Sequence, residues 1–164
     1  MRSMPRPDPG AGLLRSDRPI ALAQAILALA GMAVAAYLVY VHYQETALVC
    51  GVGDCEKVQS SSYAEFAGIP IGWFGLALYV AIAALLAARQ RGLIGADIAD
   101  VLLVGATFAG TLAVAYLTYL EIWVIEAICQ WCVTFAIITV ILLALSAVRL
   151  ARTFAAAAGP DIQD

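Results

Sequence analysis

Histidine is nearly absent from this chain, and charge of either sign is scarce. One histidine, His42, stands in 164 residues, and charged side chains make up only 13% of them. A lone imidazole excludes a histidine-built metal centre. Nine basic residues against twelve acidic ones give a net charge of -3, which leaves no basic stripe for nucleic acid. Neither a G-x-G-x-x-G turn nor a G-x-x-x-x-G-K-[ST] loop occurs, so phosphate-cradling nucleotide chemistry is set aside. A soluble domain carries about a quarter of its residues charged. With 63% hydrophobic residues in place of that charge, the composition points to a membrane protein.

Long apolar runs carry the organisation. The first, 20–43, has only Gln24 and His42 as clearly polar members and as a helix would cover about 36 Å, enough to cross a bilayer. A cleaved signal peptide is its rival, because Ala28-Leu29-Ala30 resembles a cleavage site. The run is longer than a usual signal core and continues through Tyr37, Leu38 and Tyr40, which favours a span. Further spans are expected at 71–88, 98–120 and 128–150. Asp97 and Asp100 suit the start of the third span, and Arg149 is placed to snorkel from the end of the fourth. Residues 1–19, broken by Pro5, Pro7, Pro9 and Pro19, read as a mobile tail, and 151–164 as a second tail. The expected fold is an all-α integral membrane protein, a four-helix bundle with an outer capping loop at 44–70.

Four spans put Arg2, Arg6, Arg15, Arg18, Arg89, Arg91, Arg149 and Arg152 on one side and only Lys57 on the other. The positive-inside rule then places both termini in the cytoplasm. The loop 44–70 and a short turn at 121–127 fall outside, with Glu45, Asp54, Glu56, Glu65, Glu121 and Glu126. Within the loop, Glu56 to Phe66 has a weak helical period, with Gly68 and Pro70 as stops; an irregular loop is the alternative.

Chemistry is concentrated in four cysteines, set as two pairs: Cys50-Gly51-Val52-Gly53-Asp54-Cys55 and Cys129-Gln130-Trp131-Cys132. All four fall on the outer face, where disulfides persist. Cys129 and Cys132 share a helix face in the first turn of the fourth span, where unpaired N–H groups and the macrodipole favour a thiolate. Val133, Phe135, Ile137 and Ile138 give that pair an apolar setting suited to a lipid-soluble oxidant. Trp131 and Phe135 are candidates to flank a flat ring, with interfacial anchoring the other reading of Trp131. Gly51 and Gly53 make the Cys50–Cys55 loop pliable, so a mobile pair beside a helix-held pair suggests a thiol–disulfide relay. Inert disulfide staples are the alternative, but loops this short gain least entropy from a bridge. A zinc tetrathiolate would need a reducing compartment, so no metal is assigned. His42 reads either as a base for a thiol or as a solvated interfacial side chain.

The run CGVGDCEKVQSSSYAEFAGIPIGWFGLALY, followed about fifty residues later by CQWC at the head of a span, resembles the vitamin K epoxide reductase family, its bacterial branch in particular. The resemblance covers roughly residues 20–150. It implies a four-helix bundle around a quinone, ubiquinone or menaquinone, capped by the outer loop, in a bacterial inner membrane. Carried over by position, Cys132 faces the quinone and Cys129 exchanges with the loop pair. Cys50 is then the relay to Cys129, and Cys55 meets the partner thiol. Ser61 matches the family serine near the quinone headgroup, and Phe74 opens the Phe-Gly of the second span. Two positions depart from the animal enzymes: Ile71 stands where those have an asparagine, and Ala136 where those have a tyrosine. Both of those residues hydrogen-bond the vitamin K headgroup there. The implied function is that of bacterial members resembling DsbB, which oxidise a thioredoxin-like, DsbA-like extracytoplasmic protein and pass its electrons to quinone. That partner is expected in trans, since no βαβ pattern or further CxxC precedes Asp164. Reduction of a quinone epoxide, and a non-enzymatic tetraspan protein with stapled loops, are the alternatives.

Overall fold

A computed structural model describes residues 18–44 and 49–157. Most of the first expected tail (1–17), loop residues 45–48 and the chain's last seven residues (158–164) lie outside the described residues. Helix α1 covers Arg18–Gln44. Pro19 sits in its first turn, where a missing N–H is harmless. After a short helix α2 (Cys55–Gln59) and two-residue strands β1 (Glu65–Phe66) and β2 (Ile69–Pro70), helix α3 runs Ile71–Gln90. Gly92, at φ +67°, closes α3: its N–H donates to the Arg89 carbonyl at 3.1 Å and the Leu93 N–H to the Ala88 carbonyl at 2.9 Å. Helix α4, Ala96–Leu120, continues through a π-helical turn at Glu121–Ile125, and α5 covers Gln130–Ala157. α1, α3, α4 with its π turn, and α5 are each long and apolar enough to cross a membrane. The spans expected at 20–43, 71–88, 98–120 and 128–150 match these helices, which reach further by two to seven residues at several ends. The exception is α5, which starts two residues later than expected.

The four long helices form a ring in which α1 packs on α3, α3 on α4, α4 on α5 and α5 back on α1. Large apolar side chains such as Leu22, Ile26, Leu29, Leu102, Phe108 and Leu112 face outward. Lipid is as apolar as leucine, so close packing and interhelical hydrogen bonds, not apolarity alone, hold such a bundle together. Tyr79 illustrates this. Its ring is fully buried against Gly31, where any Cβ would overlap it, and its edge meets Phe135 with centroids 4.9 Å apart. Its hydroxyl pairs with Thr139 Oγ1 at 2.9 Å, and Thr139 in turn donates to the Phe135 carbonyl at 2.8 Å.

At the end of the bundle away from the cysteines, a polar clamp joins all four helices. Asp100 on α4 pairs with Arg89 Nε on α3 at 2.7 Å and Arg149 Nε on α5 at 3.6 Å, and accepts from Thr153 Oγ1 at 2.7 Å. Arg149 Nη1 donates to Gln24 Oε1 on α1 at 2.6 Å, and Gln24 Nε2 donates to Ser146 Oγ at 3.0 Å. Arg149 therefore does not snorkel as expected. It is 1% exposed, because a buried carboxylate and amide supply the partners that headgroups would otherwise provide.

The cysteine-bearing end also departs from expectation. The helix expected from Glu56 to Phe66 stops at Gln59. Asp54 caps its start, Oδ1 accepting from the Lys57 N–H at 3.1 Å. The serines then end it: Ser61 Oγ donates to the Val58 carbonyl at 2.7 Å, competing with continued helix. Residues 65–70 instead form a hairpin whose turn residues, Ala67 (φ 53°) and Gly68 (φ 77°), both take the left-handed conformation that a two-residue turn favours.

Candidate functional site

Cys129 stands just before α5, its carbonyl accepting from the Val133 N–H at 3.0 Å. It thus occupies the N-cap position, one residue outside the first turn in which it was expected. The position suits a thiolate. The Cys132 thiol hydrogen-bonds it, and the Cys132 and Trp131 backbone N–H groups add to this. Against desolvation and the nearby Glu121 charge, these lower the Cys129 pKa to about 7. Cys129 and Cys132 are free thiols, whereas Cys50 and Cys55 are joined in a disulfide.

The loop pair is seated on this helix start. Gly53 forms an isolated antiparallel bridge with Cys129, and the Asp54 N–H donates to the Ile128 carbonyl at 3.0 Å. Gln130 Oε1 accepts from the Gly51 and Val52 N–H groups at 3.2 and 3.1 Å, and Trp131 Nε1 donates to the Val49 carbonyl at 2.9 Å. Gly53 is less a source of pliability than a requirement of this docking. Its φ is +91°, and a Cβ there would overlap the Ile128 carbonyl oxygen. Cys55, Val58 and Cys129 form one buried cluster, with Cys55 1% and Cys129 0% exposed, while Cys50 is only half-buried. Cys50 packs against the same cluster from its outer side. Cys55, the sulfur assigned to the partner, is shut in beside Cys129, and Cys50, assigned to Cys129, lies nearer the surface. The cause is helix α2, which begins at Cys55 and turns Val58 and Cys55 together toward α5.

Below this cluster lies a cavity of about 180 Å³. Cys132, Phe135, Phe74 and Ser61 all line it, together with Tyr63 and Ile71. Trp131 does not. It meets Tyr37 at a tilt, with centroids 4.9 Å apart, and its indole N–H serves the loop, away from the cavity where it was expected to flank a ring. His42 Nε2 faces Glu65 Oε1 at 3.3 Å. The residue that sequence reasoning left in an outer turn is Glu121. Its side chain is buried, lines the cavity, and accepts from the Cys129 N–H through Oε2 at 3.1 Å. An acidic residue inside the apolar run Leu120 to Ile125 was the available signal.

Comparison with protein families decides the affiliation. The model of the vitamin K epoxide reductase family matches residues 22–147, most of the chain and all four cysteines. The chain belongs to the vitamin K epoxide reductase family. As a multi-pass membrane oxidoreductase of that family, it carries a loop disulfide packed on the start of α5 and a dithiol there, of which Cys132 lines an apolar cavity.

Proposed function

We propose that this protein oxidises a dithiol partner, a thioredoxin-like extracytoplasmic protein in trans, and passes the electrons to a membrane quinone, so sustaining disulfide formation. The observation that carries this reading is the order of sulfurs. Cys50 lies nearest solvent, Cys55 and Cys129 share one buried cluster, and Cys132 opens on the cavity. Val49 and Val52 are exposed on either side of Cys50, an apolar rim on which a partner would rest.

In this scheme the partner thiolate attacks Cys50 and displaces Cys55, and the partner's second thiol resolves the mixed disulfide. The Cys55 thiolate attacks Cys129 of an oxidised Cys129–Cys132 pair, and Cys132 leaves. Cys50 then attacks Cys55, restoring the loop disulfide and releasing the Cys129 thiolate. The arrangement described above, loop oxidised and membrane pair reduced, is the state after these exchanges.

The cavity residues fit a quinone headgroup. An apolar cavity of about 150 Å³ takes a benzene ring, so about 180 Å³ accommodates one substituted ring. The wall is apolar except for groups such as Ser61, Glu121 and Cys132, which suits a ring polar only at its edge. A bound quinone supplies the acceptor for two electrons and two protons. Phe135 and Phe74 shape the wall, and Cys132 presents its thiol to the ring. The positive-inside rule supports a plasma-membrane orientation with the cysteines extracytoplasmic, since Arg89, Arg91, Arg149 and Arg152 gather at the opposite end.

The test is quinone absorbance coupled to a reduced thioredoxin-like protein, with the purified full-length chain. Turnover is expected, with loss in Cys132→Ser whatever thiol donor is used. A chain that reduces no quinone with either a protein dithiol or dithiothreitol would refute the reading.

A further inference from the structure

Helix α4 does not stop where its apolar run meets Glu121. It widens into a π turn closed by Glu126 at φ 51°, and the Glu121 carbonyl accepts from the Ala127 N–H at 3.0 Å. Single π turns inside α-helices are frequent at functional sites. Here the widening brings Glu121 to 4% exposure. Its carboxylate receives the Cys129 N–H, and it lines the ring cavity together with Cys132. No cation pairs with Glu121 among the described residues. A carboxylate buried without a cation is costly as an anion and tends to take up a proton. Glu121 lines the ring cavity on one side and, on the other, a shallow outer opening bordered by Gly53, Asp54, Glu126 and Ile128. It is a titratable group shared by the two spaces.

We infer that Glu121 is the proton carrier of the membrane dithiol, taking the proton of Cys132 and exchanging protons between the ring cavity and the outer opening. The inference rests on the quinone reading above and adds a residue to it. The balance is as follows. Cys129 reacts as a thiolate, its proton already lost to water, and Cys132 as a thiol. Formation of the Cys129–Cys132 bond releases two electrons and one proton, the latter from Cys132 Sγ to a Glu121 carboxylate oxygen. Glu121 returns that proton to one quinone oxygen. A second proton, drawn from water through the outer opening, passes by the same carboxylate to the other oxygen, giving hydroquinone. The titratable groups facing Glu121 are Cys129 and Cys132 at the start of α5, Asp54 from the loop and Glu126 after the π turn. On α2, Cys55 is held in its disulfide, and Glu56 and Lys57 are exposed.

The experiment uses the full-length protein with its membrane pair reduced and a short-chain ubiquinone analogue as oxidant. Glu121→Gln keeps an oxygen for the Cys129 N–H but cannot carry a proton, whereas Glu121→Asp can. Single-turnover oxidation of the pair is expected to slow about 100-fold or more in Glu121→Gln, the usual scale of general acid–base catalysis, and to recover largely in Glu121→Asp. Without quinone, ultraviolet titration of the Cys129 thiolate in Glu121→Gln is expected to move to lower pH, because a negative neighbour has gone. Both variants are compared with the analogue saturating, its binding followed by aromatic fluorescence. Wild-type speed in Glu121→Gln, equal slowing in both variants, or an unmoved Cys129 titration would each overturn the proposal while leaving the quinone reading in place. A wild-type pair that no quinone oxidises would overturn both.

Discussion

Cys129 and Gly53 face each other across the junction of loop and bundle, and each has a property the other depends on. The Cys129 thiol is lowered to about 7 chiefly by the Cys132 thiol, with help from the N–H groups that open α5. Its thiolate is therefore lost as pH falls through about 7 and present above it. Ultraviolet titration of the reduced membrane pair should show a first thiolate with its midpoint near that pH, absent in Cys129→Ser. A first midpoint in the ordinary thiol range, about 8.5, would mean that neither the Cys132 thiol nor the helix start lowers it. Gly53 matters through geometry, since its positive φ and contact with the Ile128 carbonyl leave no place for a side chain. Gly53→Ala should push the loop off Cys129 and slow thiol exchange between the two pairs by at least tenfold, measured by quenched-flow alkylation. The four long helices should melt at nearly the wild-type temperature, because the loop is peripheral to their packing. The cysteines themselves were legible in the sequence as two pairs. Their burial was not, because Cys50 and Cys55 differ only in which one a five-residue helix turns inward.

Among elements, the long helices were the most legible, since each is an uninterrupted apolar run ended by Pro, Gly or charge. Short elements were not. The period in Glu56 to Phe66 is weak, and serine hydroxyls that bond back to the main chain decide its end. The polar clamp was equally hidden. Asp100, Arg89 and Arg149 each look like ordinary helix-end charges, and only the fold joins them. Asp100→Leu removes a carboxylate shared by two buried guanidiniums, and breaking such a buried pair typically costs about 3–5 kcal/mol. Unfolding in detergent should show a loss of that order. Replacing Arg89 together with Asp100 should lose less than the sum of the two single changes, as expected for side chains in one network. Additive losses would mean that the clamp is two separate contacts.

At the scale of the whole molecule, the bundle separates two kinds of polarity. The clamp closes one end with charge buried and paired, and the cysteine end leaves a graded path from half-exposed Cys50 to the cavity beside Cys132. That path makes a prediction about trapped intermediates. Exchange runs through mixed disulfides, which persist when the resolving thiol is missing. Cys55 lies in the cluster with Cys129, so in Cys50→Ser the freed Cys55 should attack Cys129 and remain there as an internal disulfide, with Cys132 reduced. In Cys55→Ser, Cys50 is held nearer the surface by the Gln130 and Trp131 contacts to its loop. It should then remain a free thiol, open to alkylation, and not be joined to Cys129. Peptide mapping under non-reducing conditions distinguishes the two patterns. A Cys50–Cys129 bond in Cys55→Ser, with no Cys55–Cys129 bond in Cys50→Ser, would mean that the loop turns over during exchange and that burial beside Cys129 does not set the direction of electron flow.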